Sequence, residues 1–356
     1  MNTDLARQSR AAPLAVTMGD PAGIGLELTA MAWHRRHSDH IPPFAFYGCA
    51  AALGARAHEV GMALPLRVVT EPRDAMPTFD AALPVIDIPL IARPVPGVAS
   101  PSNAGAVIAS IERAVADTVR GGAGAVVTNP IAKSVLYQAG FTHPGHTEFL
   151  AELAGRLVPG GPYLPVMMIA SEALRVVPLT IHIPLAAVPG AIRTDSIVQC
   201  ARIMAIALKR DFAIAHPRIA IAGLNPHAGE DGSMGREDIE IIAPAIAQLK
   251  AEGIDVSGPH PADTLFHAER RATYDAVLAM YHDQALIPAK TLAFETGVNV
   301  TLGLPFVRTS PDHGTAFDIA GRGLASPSSL IAAMRLARSM SDMRAAANGA
   351  IATDAL

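Results

Sequence analysis

The sequence is poor in aromatic and in charged residues. Aromatics make up 4% of its 356 positions and Asp, Glu, Lys and Arg together 17%, against 50% hydrophobic. With few large rings, Ala, Val, Ile and Leu must build the interior, which suits packed helices and buried parallel strands. So little charge against so much apolar side chain excludes an intrinsically disordered chain. Only two cysteines occur, Cys49 and Cys200. Far apart in sequence, they exclude a disulfide framework and a cysteine metal motif, and they read as reduced, buried thiols. A net charge of −4 gives no electrostatic case for nucleic acid or an anionic membrane, while leaving room for a local basic pocket that takes a small anion. No apolar run reaches the roughly 18 residues of a membrane span. The segment from Met1 to Arg10 is polar and lacks the apolar core of a signal peptide. A cytoplasmic protein is expected.

What is present is alternation. Strands are predicted at Leu14–Met18, Phe44–Tyr47, Ala125–Thr128, Val166–Ala170, Val176–Ile181, Arg218–Ala222, Ala276–Met280 and Val298–Leu302. Between them, helical periodicity covers 24–36, 50–60, 103–120, 195–208, 237–251, 284–294 and 328–347. Strands alternating with helices predict an α/β fold with a mainly parallel sheet, antiparallel strands admitted. The length suits two lobes. The Pro-rich stretch from Thr70 to Ser102 resists assignment beyond a strand at Val85–Ile88.

Three histidines stand at or just beyond the C-terminal ends of apolar strands: His182, His227 and His282. In parallel α/β sheets that edge is where ligands bind. Three imidazoles converging there would hold a divalent ion and leave a position open for substrate. Against this, the chain has 13 histidines, and spacing this long is not a motif, so chance placement stands beside the metal reading on pattern alone. The polar loops around them, Asn225-Pro226-His227-Ala228-Gly229-Glu230 and Tyr281-His282-Asp283-Gln284, are of the kind that carries function.

Three further segments bear on anions and cofactors. His146 and Thr147 open a helix, where free backbone N–H groups and the dipole favour a carboxylate or phosphate; a plain cap by Thr147 is the competing reading. Lys290, Asn299 and Arg308 lie on or near the last helix–strand–loop unit, and a polar Asn inside an apolar strand needs a partner, a charged substrate being one. The turn Gly19-Asp20-Pro21-Ala22-Gly23-Ile24-Gly25 is glycine-rich without matching a dinucleotide fingerprint or a P-loop. The loop from Ser310 to Gly323 contains Asp318, which near a ribose accepts from a 2′-hydroxyl and repels a 2′-phosphate, favouring NAD over NADP; a solvated turn is the alternative.

Several of these segments, in this order and over nearly the whole chain, resemble the 4-hydroxythreonine-4-phosphate dehydrogenases of vitamin B6 biosynthesis. The likeness runs through Val16–Gly25, Thr128-Asn129-Pro130-Ile131-Ala132-Lys133, Gly145–Glu148, Gly223–Glu230, Tyr281–Gln284, Gly303–Ser310 and His313–Ala316. The last of these loops also resembles the adenosine-binding loop of isocitrate and isopropylmalate dehydrogenases. The resemblance implies two α/β/α lobes of that dehydrogenase type with the active site in the cleft: 1–143 with 304–356 as the cofactor-binding lobe, and 144–303 for metal, substrate and dimerisation. It implies metal ligands at His182, His227 and His282, with zinc expected and magnesium or cobalt tolerated. Substrate contacts are implied at His146, Thr147, Lys290, Asn299 and Arg308, and NAD contacts at Gly314, Thr315, Asp318 and Ile319. Lys290, Asp263 and Asp283 are the candidates for proton transfer. A homodimer is implied, with the metal site shared between subunits. The implied reaction is NAD-dependent oxidation of 4-phosphooxy-L-threonine to 2-amino-3-oxo-4-phosphooxybutanoate, which loses CO2 to give 3-amino-2-oxopropyl phosphate. Three alternatives stand beside it: a related dehydrogenase of another sugar-acid phosphate or a dihydrodiol carboxylate, an acyl-phosphate transferase, and a dimer stapled by a structural metal. One departure from the family pattern is visible, a longer stretch over Arg156–Pro165, which reads as a surface loop.

Overall fold

The structure, a computed structural model, describes residues 12–138, 140, 143 and 145–354. Along the chain come β1 (Leu14–Thr17), α1 (Gly25–His34), β2 (Phe44–Gly48), α2 (Ala50–Glu59), β3 (Leu66–Val68), β4 (Leu83–Asp87), α3 (Ala104–Val119), β5 (Val126–Val127), α4 (Lys133–Gln138) and α5 (His146–Leu157). There follow β6 (Val166–Ala170), β7 (Arg175–Pro178), α6 (Thr194–Asp211), β8 (Ile219–Ala222), α7 (Ala243–Ala251), β9 (Val256–His260), β10 (Ala276–Ala279), α8 (His282–Ala293), β11 (Val298–Leu302), β12 (Arg308–Pro311) and α9 (Ser328–Asp354). The expected α/β alternation is present. The chain forms two compact units, residues up to Pro165 with those from Leu304 onward, and Val166–Gly303. The first division therefore falls at Pro165 rather than at residue 143, because α5 packs against α3 of the first unit.

In the first unit the strands run in the order β3-β4-β2-β1-β5-β12, and every pairing is parallel. Such strands are covered on both faces and read as continuous apolar runs; Leu14, Val16, Phe44, Phe46, Val126 and Val127 are fully enclosed. From β1 the chain passes to β2 on one side, while β5 lies on the other. The crevice beyond the C-terminal ends of β1 and β5 is thus the place where an open α/β sheet offers a site. The glycine-rich turn after β1 and the Thr128–Lys133 segment after β5 both leave from that edge.

In the second unit the order is β11-β6-β7-β10-β8-β9. β7, β10, β8 and β9 are parallel, and β6 runs against both neighbours. Its core includes Ile169, Val176, Ala220, Val277, Ala279 and Leu286. Three strands lie where none is predicted from the sequence, β3, β9 and β12. The helix expected over 237–251 opens with a π-helical stretch, Asp238–Ile242, before α7. Both cysteines are buried and free. Among the described residues no helix is long and apolar enough to cross a membrane.

Candidate active-site residues

The second unit gathers the exits of three parallel strands. His182 follows β7, His282 follows β10, and His227 follows β8, with β10 between the other two. Hydrogen bonds tie these exits together. Thr180 Oγ1 donates to the Met280 carbonyl at 2.8 Å, linking β7 to β10. Gln284 Oε1 accepts from Met280 N at 2.7 Å while its Nε2 donates to the Gly223 carbonyl at 2.8 Å, linking β10 to β8. The His182 and His282 rings lie 5.7 Å apart between centroids. Both line a cavity of about 240 Å³ with Tyr281 and Asp283. His282 Nδ1 donates to Asp283 Oδ1 at 2.7 Å, a pairing that fixes the ring and leaves Nε2 as the lone-pair donor. Asp283 and Tyr281 also line a neighbouring cavity of about 420 Å³ with Asp263.

His227 behaves differently. It begins a run of five residues in the left-handed region, His227 (φ 54), Ala228 (φ 53), Gly229 (φ 83), Glu230 (φ 40) and Asp231 (φ 54). Each non-glycine residue there costs about 1–2 kcal/mol. The compensation is a buried carboxylate: Asp238 accepts from Leu224 N (2.9 Å), Asn225 N (3.2 Å) and Asn225 Nδ2 (3.0 Å), pinning the start of the turn. The His227 side chain is 62% exposed and faces Glu230. Among the described residues no three His, Cys, Asp or Glu side chains stand close enough to share one ion. Two imidazoles, one of them oriented by a carboxylate, fit the borderline donor chemistry of zinc or cobalt. The third expected ligand is not assembled with them. Lys290 lies on α8 eight residues beyond His282, on the order of 12 Å along the axis. Asn299 is half-buried in β11, opposite Ile169. Neither lines the histidine cavity.

The first unit assembles a different group. Arg308 begins β12, paired in register with Val126 of β5, and is 5% exposed. Burial pulls its pKa down to about 10. Thr128 Oγ1 accepts from Arg308 Nη2 at 2.6 Å and from Nε at 3.2 Å, so the hydroxyl hydrogen is left to point away from the guanidinium. Arg308 Nη2 also stands 3.5 Å from His146 Nδ1. A guanidinium only donates, so Nδ1 accepts and the ring hydrogen sits on Nε2. That Nε2 is buried with no partner among the described residues. Burial, then the charges of Arg308 and Lys133, push the His146 pKa well below the ordinary imidazole value, so the ring is a neutral donor. A buried cation, a buried N–H and an oriented hydroxyl together suit an anionic oxygen. The helix cap reading for Thr147 is corrected: Gly145 is the N-cap, without a side-chain bond, and Thr147 lies inside the first turn of α5. Thr128 carries no role on the sequence reading; only its place in the Thr128–Lys133 motif pointed to it.

The expected cofactor loop lies in the first unit. Ile24 N donates to the Thr315 carbonyl at 3.0 Å and Ile319 N to the Ala316 carbonyl at 3.2 Å. Asp318 is exposed. A Cβ built on Gly314 would meet nothing within 4 Å, so the backbone there is open to a flat ligand.

The family model for pyridoxal phosphate biosynthetic protein PdxA matches residues 40–337. The chain is 57% identical over 328 residues to the 4-hydroxythreonine-4-phosphate dehydrogenase of Methylorubrum extorquens, covering 91% of this chain and 93% of that one. Among solved structures it is similar to the 4-hydroxythreonine-4-phosphate dehydrogenase of Klebsiella pneumoniae, with a TM-score of 0.83 at 38% identity over 93% and 99% of the two chains. It is also similar to a terephthalate 1,2-cis-dihydrodiol dehydrogenase from Burkholderia xenovorans, with a TM-score of 0.62 at 29% identity over 92% and 98%.

Proposed function

The chain belongs to the PdxA family of pyridoxal phosphate biosynthetic proteins, and from that premise we propose that it is an NAD- and divalent-metal-dependent 4-hydroxythreonine-4-phosphate dehydrogenase. Its substrate is 4-phosphooxy-L-threonine. The oxidised product, 2-amino-3-oxo-4-phosphooxybutanoate, carries its ketone β to the carboxylate and loses CO2 to give 3-amino-2-oxopropyl phosphate. The enzyme works in the cytoplasm as a homodimer that shares the metal site between subunits.

The observation that carries the phosphorylated substrate is the buried trio of Arg308, His146 and Thr128. Burying a guanidinium is costly unless an anion or hydrogen bonds compensate it. In this reading the trio holds the substrate anion, with Thr147, Lys290 and Asn299 as further contacts. When bound, a divalent ion lowers the pKa of a neighbouring hydroxyl, and NAD accepts a hydride. His182 and His282 are the ligands the geometry supports best, and Asp283 keeps the His282 Nε2 lone pair outward. His227 is kept as the third ligand on the family resemblance alone. Asp263, Asp283 and Lys290 are the groups available to take the hydroxyl proton. Gly314, Thr315, Asp318 and Ile319 hold NAD, and Asp318 sets the preference over NADP.

The test is NADH formation by metal-loaded enzyme with 4-phosphooxy-L-threonine, with unphosphorylated 4-hydroxythreonine, and with a chelator. Turnover confined to the phosphorylated substrate and abolished by chelation is expected. Equal turnover of both substrates would sink the role of the anion pocket. The likeness to the dihydrodiol dehydrogenase supports a second reading, oxidation of a cis-dihydrodiol carboxylate, which the same assay detects when such a dihydrodiol is supplied as substrate.

A further inference from the structure

The glycine-rich turn after β1 has no role in the reading above, yet a buried ion pair joins it to the far end of the loop assigned to NAD. Glu27, on α1, is fully enclosed. Its Oε2 accepts from Gly321 N at 2.7 Å, a bond between residues 294 positions apart. Burial raises its pKa, against the pull of the Gly321 bond and of Arg56. Arg56, on α2, is 2% exposed and stands 3.9 Å from the same oxygen. It donates to the Gly23 carbonyl at 2.7 Å and to the Pro21 carbonyl at 3.2 Å. The glycine-rich turn with the start of α1 and the 315–321 loop are thus held against each other at two places, Ile24 N on Thr315 O and Glu27 on Gly321 N. The approach is close: a Cβ on Gly23 would lie 2.9 Å from the Thr315 carbonyl oxygen. Gly321 itself needs the left-handed region (φ 74), and a Cβ there would lie 2.8 Å from Pro96 Cβ. Gly97 N adds a bond to Ala22 O at 2.8 Å.

This arrangement is dear to maintain. A buried carboxylate and guanidinium lose hydration that their mutual attraction does not always return; Glu27 Oε1 lacks a hydrogen-bond partner among the described residues, and Arg56 Nε faces the half-exposed Glu59 carboxylate at 3.4 Å. Gly321 N–H needs only one acceptor, which a loop carbonyl or water supplies without a buried charge. Fixing the loop before a ligand arrives lowers the ordering cost of binding, which is what such a brace provides.

We propose that Glu27, seconded by Arg56, is a positioning residue for the cofactor: it pre-sets the backbone of residues 315–321 so that Thr315, Asp318 and Ile319 meet the adenosine half of NAD without reordering. The inference rests on the assignment of that loop to NAD. It is tested on the full-length enzyme with NAD itself, by calorimetric Kd and by kinetics. Glu27→Ala is expected to raise Kd and KM for NAD about tenfold, with kcat at saturating NAD and KM for the phosphorylated substrate within about twofold of wild type. Glu27→Gln keeps an acceptor for Gly321 N–H and is expected to recover most of the affinity. Amide exchange on wild-type enzyme gives a second readout that needs no variant to fold: the Gly321 amide is protected before NAD is added. NAD affinity unchanged in Glu27→Ala, or kcat lowered and both KM values raised together in both variants, overturns the inference, as does a Gly321 amide that becomes protected only with NAD. Wild-type enzyme that does not bind NAD overturns the cofactor reading itself, and the inference with it.

Discussion

The two units present their candidate residues in opposite ways. In the first, Arg308 and His146 are 5% and 9% exposed and already bonded to one another, and Arg308 to Thr128 as well. In the second, the side chains of His227, His282 and Asp283 are 62%, 36% and 70% exposed, and only two of three expected ligands stand together. On the proposed function, the contrast follows from the chemistry that each would bind. A phosphate is held by geometry and charge fixed in advance, because hydrogen bonds to an anion strengthen as water is excluded. A divalent ion brings its own charge and organises flexible donors around itself, so its ligands can stay hydrated until it arrives.

The comparison is broken most sharply at Arg308. If the first unit is a preformed anion site, Arg308→Met should cut kcat/KM for a phosphorylated substrate by about 2–4 kcal/mol, roughly 30- to 1000-fold. Inorganic phosphate, which should raise the melting temperature of the wild-type enzyme, should not stabilise the variant. A variant that keeps its phosphate response would leave the buried guanidinium as a structural device.

The exposed edge of the second unit is probed at Asp283. As an orienting partner of His282, its replacement by Asn should weaken Co2+ or Zn2+ binding about 10- to 100-fold, read from the visible spectrum of the cobalt form. His182→Ala and His282→Ala set the scale in the same titration. A loss in His227→Ala that matches theirs brings the left-handed turn within reach of the ion; no loss leaves the ion to the histidine pair and a ligand from elsewhere. An Asp283→Asn enzyme with wild-type metal affinity but slow turnover would move Asp283 from orienting the ring to moving the proton.

What the sequence made legible follows the same division. Strands β1, β2, β6, β8, β10 and β11 read directly because their apolar runs are buried on both faces. β12 did not, since Arg308-Thr309-Ser310-Pro311 has no apolar pattern; it is a buried strand whose polar side chains bond to Thr128 and to the Ala333 carbonyl. β9 contains Gly258-Pro259, which reads as a loop and is tolerated because the strand lies at the end of the order, beside β8 alone. The histidines were found by position, at strand ends. Their assembly was not legible, because the left-handed conformation of His227–Asp231 carries one glycine as its only sequence sign. Thr128, Gln284 and Asp238 escaped for a related reason: each acts through one to three hydrogen bonds to residues distant in sequence, and no local pattern announces a partner 180, 61 or 14 residues away.

The smallest effect tests the buried state of the first unit directly. His146 is held neutral by burial and by the neighbouring Arg308 and Lys133 charges, so its folded pKa lies well below the ordinary value. An unfolded chain takes up this proton near pH 6.5. Above that value neither state is protonated, and the His146 contribution to stability is fully present. As the pH falls below it, the unfolded state binds a proton that the folded state refuses, and stability drops toward the depressed folded pKa by at most about 1.4 kcal/mol per pH unit. Urea unfolding of wild type and of His146→Leu between pH 7.5 and about 5 should therefore give difference curves that are flat above roughly pH 6.5 and converge in favour of the variant below it. Other histidines, including His260, whose pKa burial also lowers, contribute to both proteins and cancel in the difference. Adding phosphate should reverse the sign locally, because an anion beside the ring stabilises the imidazolium and lifts the folded pKa. A flat difference at every pH would mean that the ring reaches solvent, and that the pocket in the first unit is as open as the histidine edge of the second.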